Sequence, residues 1–198
     1  VLNAIDLTID KATIHAMGIS LTTYSVNFDK AAETATLQFE DTIQPGEARL
    51  EMAFSGELND KLIGFYRSEY TSQDGETRYL ATTQFEATDA RRAFPCWDEP
   101  AKKAIFEVTL VFADEYQAVS NTPAVEETVP GTGLKSIRFA ETPVMSTYLL
   151  AFVVGNLTSI EERASGGTLV GVWTTPGKEN QANFALDTSV KLLGYFNE

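Results

Sequence analysis

From Leu2 to Ile14 the apolar residues fall at every second position, and from Ile19 to Phe54 the same alternation continues, broken at Asn27 to Ala31 and Gln44 to Glu47. Successive side chains of a strand point to opposite faces, so this period buries one face of a sheet and leaves the other to water; a helix cannot satisfy it. The breaks carry turn chemistry. Asn27-Phe-Asp-Lys30 suits a hairpin connection between strands over 22–27 and 34–39, and Pro45-Gly46 suits the next turn. Leu50 to Leu58 alternates again, and after Gly64 to Tyr70 the pair Asp74-Gly75 signals a turn before a strand over Tyr79 to Gln84.

Further strands are expected over 104–112, on either side of Asn121-Thr-Pro123 within 118–129, and over 135–140 after the Pro130 to Gly133 turn. Thr147 to Gly155 is almost continuously apolar and predicts a strand deep in a sheet, with Tyr148 in the core and with 156–163 and 168–174 as its more exposed neighbours. Only the tail changes period. After Pro176-Gly177, the residues Phe184, Leu186, Val190, Leu193 and Phe196 fall near helical spacing. The fold class expected is all-β, with mostly antiparallel saddle-like or sandwich sheets and a C-terminal helix. The one boundary lies near Pro176, dividing residues 1–177 from 178–198.

With 43% apolar residues over 198 positions the chain can bury a true core. Its 28 acidic against 15 basic residues give a net charge of -13, which opposes phosphate backbones and anionic lipid, so no nucleic-acid role is expected. A single cysteine closes no internal disulfide, and this favours a reducing, cytoplasmic setting. No apolar run reaches the roughly 20 residues that span a bilayer. A signal or anchor ahead of Val1 stays open.

The chemically densest stretch is Tyr79 to Pro100, where a strand delivers its end into an irregular polar segment. Gln84 and Glu86 occupy alternate positions at that strand end and so point the same way, either as an amide and a carboxylate lining one cleft or as two ordinary surface residues. Arg91, Arg92, Asp98 and Glu99 are expected to form a structural ion-pair cluster, since guanidinium forks match carboxylates bidentately. A zinc site needs three or four ligands at workable spacing, and with His15 and Cys96 the only residues of their kinds none is expected. His15 suits a packed or surface place, and Cys96, between Pro95 and Trp97, a small apolar one. Gly171 to Lys178 fails as a phosphate loop, Gly131-Thr-Gly133 fails as a dinucleotide fingerprint, and Asn156-Leu-Thr158 is a formal glycosylation acceptor of consequence only in a secretory protein.

Tyr79-Leu-Ala-Thr-Thr-Gln-Phe-Glu86 followed by Asp89-Ala-Arg-Arg-Ala-Phe-Pro-Cys-Trp-Asp-Glu-Pro100 resembles the zinc aminopeptidases of the aminopeptidase N and puromycin-sensitive type. Gly64-Phe-Tyr-Arg-Ser68 and Met145-Ser-Thr-Tyr-Leu-Leu-Ala-Phe-Val-Val-Gly155 agree with that family in the same order. The resemblance covers essentially the whole chain but only the family's N-terminal β domain. It implies that the first strands are missing, that the helix from 178 opens a truncated catalytic domain, and that the H-E-x-x-H and G-A-M-E-N motifs lie beyond it. Zinc would then be the cofactor of the full-length enzyme, bound by ligands outside this chain, and the fragment alone would be inactive. The resemblance gives Glu86 the free ammonium of a peptide's first residue, gives Gln84 the first side-chain subsite, and makes the Glu86–Ala87 peptide cis. Arg91, Arg92, Asp98 and Glu99 would support the loop that aims Glu86. Expected partners are peptide substrates, through a free N-terminus, and the catalytic domain of the same chain. The alternative is a non-enzymatic β-sandwich interaction module; continuation of the natural chain past Glu198 into H-E-x-x-H would distinguish the two.

Overall fold

In the computed structural model, which describes residues 1–197, half the chain is strand and 12% is helical, as the period-two pattern requires. Two compact units interleave along the sequence. The first comprises Val1–Arg67, Thr82–Phe106 and Glu141–Ala151; the second comprises Ser68–Ala81, Glu107–Ala140 and the residues from Phe152 onward.

The first unit opens with β1 (Leu2–Asn3), β2 (Leu7–Ala16), β3 (Ile19–Asp29), β4 (Thr34–Phe39) and β5 (Ala48–Gly56), which form one antiparallel sheet in the order β1-β4-β3-β2-β5. Leu7 and Ile9 are buried while Thr8 and Asp10 are exposed. A bulge between Ile9 and Lys11 then advances the pairing by one residue, so that Ala12 is the next buried side chain. Ala4, Leu7, Ile9 and Ala35 make the core here, with Val26 and Leu37 packed against them. The hairpin between β3 and β4 turns later than Asn27. Asp29 sets it, its Oδ1 accepting from the backbone N–H groups of Ala31 at 2.9 Å and Ala32 at 3.0 Å.

β6 (Gly64–Thr71) and β7 (Thr77–Gln84) have residues in both units, and Asp74-Gly75 lies in the turn joining them, as expected. A short 3-10 turn (Ala90–Arg92) and β8 (Lys103–Ala104) come next, and then β9 (Thr109–Ala113), β10 (Gln117–Ser120), β11 (Ala124–Gly131) and β12 (Leu134–Phe139). The expected strand over 104–112 is thus two. Between them Phe106 turns aside to bond Thr142, whose Oγ1 accepts from Phe106 N and whose N–H donates to Phe106 O, each at 3.0 Å.

β13 (Met145–Ser146) pairs with β8, and the apolar run after it is not a continuous strand. Residues Thr147–Leu149 form a 3-10 turn, Leu149 is exposed, Tyr148 is only half-buried, and extended pairing resumes at β14 (Phe152–Gly155). An unbroken apolar run carries no period, so hydrophobicity alone could not place the break. β14 pairs with β10 in the sheet ordered β10-β14-β7-β6, while β11, β12 and β9 form a separate three-stranded sheet. Ala118, Ile137 and Phe139 form the core of the second unit with Val108, Leu110, Phe112 and Val154.

β15 (Thr158–Arg163) and β16 (Leu169–Thr174) pair with each other rather than flanking the 147–155 segment. The helix α1 (Glu179–Phe196) packs on both and buries Ala182 and Leu186. Of the expected stripe, Val190 and Leu193 are half-buried and Phe184 and Phe196 face solvent.

Candidate functional site

The site begins with Phe85. It is 1% exposed and meets Phe94 edge to face, ring centroids 5.8 Å apart. With that side chain pinned inward, Gln84 and Glu86 on either side are both exposed. The Oε1 of Gln84 accepts from the backbone N–H of Glu86 at 3.4 Å, and the Glu86–Ala87 peptide bond is cis. The chain returns at once, Asp89 N donating to Phe85 O at 2.9 Å and Arg92 N to Asp89 O at 3.1 Å. Glu86 therefore sits at the tip of a closed turn whose base is a buried aromatic pair. An exposed carboxylate so placed can accept charge-assisted hydrogen bonds from an ammonium group.

Behind the turn lies an ion-pair cluster centred on two adjacent arginines. The Arg91 side chain is 12% exposed; its Nε donates to Asp98 Oδ2 at 3.0 Å and its Nη1 to Glu33 Oε2 at 2.9 Å, while its backbone N–H reaches the same Asp98 oxygen at 3.2 Å. Burial works to lower the Arg91 pKa, but the hydrogen bonds and charges of Asp98 and Glu33 outweigh it and hold the guanidinium above its ordinary value. Arg92 donates through Nε to Asp89 at 2.8 Å and through Nη1 to Asp6 at 2.9 Å, and its Nη2 lies 3.6 Å from Glu33. Gly64, at φ +68°, makes room for this side chain: a Cβ there would stand 2.7 Å from Arg92 Cβ.

The N-terminal segment laces the loop from below. Asn3 N donates to Cys96 O at 2.7 Å, Cys96 N to Asn3 O at 3.1 Å, Asp98 N to Asn3 Oδ1 at 3.1 Å, and Ile5 N to Arg91 O at 3.1 Å. Cys96 is part of this frame and not a nucleophile. Burial first, and then the negative charge of Asp98, push its thiol up to about 12 against the opposing pull of Arg91.

Of the expected cluster, Arg91, Arg92 and Asp98 come together; Glu99 does not. It is exposed, and the carboxylates that complete the network are Glu33, Asp6 and Asp89. Asp89 was legible three residues before Arg92. Glu33 and Asp6 arrive through the sheet, and no local signal marks them. His15 bonds Ser20 through Nδ1 at 2.7 Å and lies 3.6 Å from Glu51 through Nε2. Among the described residues no group of three or more His, Cys, Asp or Glu is arranged to hold a metal. With one histidine tied to a serine and one cysteine, the described residues do not fit a zinc centre.

The family model for the peptidase M1 N-terminal domain matches residues 1–149. Aminopeptidase M1-C of Oryza sativa subsp. japonica is 48% identical over 198 residues, covering all of this chain and 22% of that protein. The puromycin-sensitive aminopeptidase of Caenorhabditis elegans is 42% identical, covering 98% of this chain and 22% of that protein. An aminopeptidase N of Acetobacter pasteurianus is 42% identical over 97% of this chain and 55% of its own length. The chain thus spans about a fifth of the first two relatives.

Proposed function

Since the chain belongs to the peptidase M1 N-terminal domain family, we propose that it is the substrate-recognition domain of a zinc-dependent metalloaminopeptidase that removes N-terminal residues from peptides. The observation that carries this reading is the presentation of Glu86. A recognition carboxylate must be exposed to the ligand and carried on a held backbone, and Glu86 is exposed on a turn held by buried Phe85 on one side and the Asp89-to-Phe85 closure on the other. Its carboxylate binds the free ammonium of the substrate, and Gln84 beside it lines the pocket for the first side chain. Holding the peptide by its amine sets the distance from terminus to scissile bond, which converts binding into positioning. Arg91, Arg92 and Asp98 hold the turn in place.

The domain boundary near Pro176 and a following catalytic domain, with α1 as its first helix, belong to the same proposal. The zinc ligands and the chemistry reside in that domain, and this chain alone is inactive. With a single cysteine that closes no internal disulfide, the setting proposed is cytoplasmic.

The test is kinetic. The whole protein that carries this chain should release amino acid from an aminoacyl anilide and lose that activity to a chelator. Glu86→Gln should lower kcat/KM by about 10²-fold, the scale expected when a positioning contact is lost. Activity unchanged by Glu86→Gln would overturn the assignment.

A further inference from the structure

We infer that Glu33 is a positioning residue for Glu86, acting from the turn between β3 and β4 through both arginines; the inference rests on the recognition role proposed above for Glu86. Among the described residues, Glu33 is the one carboxylate ion-paired with both guanidinium groups, Oε2 on Arg91 at 2.9 Å and Oε1 on Arg92 at 3.6 Å. Each arginine then fixes a different point of the recognition loop. Arg92 grips Asp89, whose N–H closes the turn onto Phe85 O, one residue before Glu86. Arg91 grips Asp98 at the far end of the loop. A rotation of either guanidinium therefore moves the base of the turn, and Glu33 opposes rotation of both.

Glu33 is itself well held. Its backbone lies at φ +53°, its carbonyl accepts from Ala4 N at 2.9 Å, and the turn that carries it is fixed by Asp29. Its side chain is 32% exposed, so it remains hydrated enough that losing its charge need not unfold the domain. The side-chain partners of Glu33 are Arg91 and Arg92, so the effect inferred on a ligand at Glu86 passes through the arginines and the turn.

A double-mutant cycle on the whole protein tests this, using Glu33→Gln, Glu86→Gln and the pair, with kcat/KM measured on an aminoacyl anilide. Glu33→Gln alone should lower kcat/KM about tenfold, and in the Glu86→Gln background it should have no further effect, because the carboxylate it positions is gone. Competitive inhibition by a des-amino substrate analogue should be unchanged by Glu33→Gln, since that ligand has no ammonium to be misplaced. Glu33→Asp, which keeps the charge one methylene short, should fall between wild type and Glu33→Gln, and it carries the test if the glutamine variant does not fold. An equal loss in both Glu86 backgrounds, a matching loss for the des-amino analogue, or no loss at all would overturn the inference. If Glu86→Gln alone is without effect, the reading of Glu86 falls and this inference with it, on data separate from the Glu33 measurements.

Discussion

Removing Asp98 probes the cluster most directly. Its side chain is 2% exposed, and both the backbone N–H and the Nε of Arg91 converge on its Oδ2, at 3.2 and 3.0 Å. Asp98→Ala leaves two donors without that acceptor and leaves a guanidinium that is 12% exposed with Glu33 as its remaining ion-pair partner. Breaking a buried pair on one side costs about 3–5 kcal/mol, and the surviving Glu33 contact places the expected loss near the lower end, at about 3 kcal/mol. Asp98→Asn keeps an oxygen where both donors point, removes the charge and replaces the second oxygen by an amide NH2. The expected loss is then the difference between charged and neutral hydrogen bonds, about 1–1.5 kcal/mol. Glu99→Gln, outside the network, should stay within about 0.5 kcal/mol. Urea unfolding of the 198-residue chain followed by circular dichroism should give the lowest midpoint for Asp98→Ala, a higher one for Asp98→Asn and one close to the parent for Glu99→Gln, at constant slope. Asp98→Ala within about 1 kcal/mol of the parent, or Glu99→Gln as damaging as Asp98→Asn, would refute the assignment of the network as the anchor of the loop.

Elsewhere, a Cβ at Gly155 would stand 2.3 Å from Leu80 Cδ2 and 3.3 Å from Leu80 Cα, so Gly155→Ala should destabilise by about 1–3 kcal/mol in the same assay. With the Cys96 thiol at about 12 instead of 9.0, the thiolate fraction at pH 8 falls roughly a thousandfold, and a thiol reagent should label Cys96 promptly only after denaturation. The same shift has a pH signature. Because the folded pKa is raised, the contribution of Cys96 to stability is complete below pH 9 and is lost as pH rises towards 12, so Cys96→Ala should flatten the alkaline limb of a stability profile.

How much of this was written in the sequence depends on the range of the interaction concerned. Leu7 and Ile9 declare a strand because side-chain alternation is local, but one unbroken period over Leu2 to Ile14 passes over the bulge that readmits Ala12. The strand end at Gln84 and the outward pair Gln84 and Glu86 follow from the same parity. The segment 147–155 misled because uniform hydrophobicity is compatible with a strand, a turn or both. The helix was legible from spacing, but which residues it buries was not, since β15 and β16 select Ala182 and Leu186 by where they pack. Glu99 was wrongly included and Glu33 missed for one reason. Ion pairing is decided by proximity in space, and Glu33 reaches Arg91 across 58 positions of sequence that only the sheet brings together.

Under the proposed role of Glu86, that non-local pairing keeps its carboxylate available to a ligand. An acidic chain with two arginines five and six residues after an exposed carboxylate invites an internal salt bridge, which would compete with any incoming ammonium. Here the competition is settled within the fold. Asp98 and Glu33 occupy Arg91, Asp6, Asp89 and Glu33 surround Arg92, and among the described residues no ion pair involves Glu86. Four carboxylates surround the two guanidinium groups. The arginines thus serve twice, as anchors of the turn and as cations withheld from it. Loss of Glu33 would still leave Arg91 on Asp98 and Arg92 on Asp6 and Asp89, so on the proposed reading its effect on recognition comes from loosening the turn.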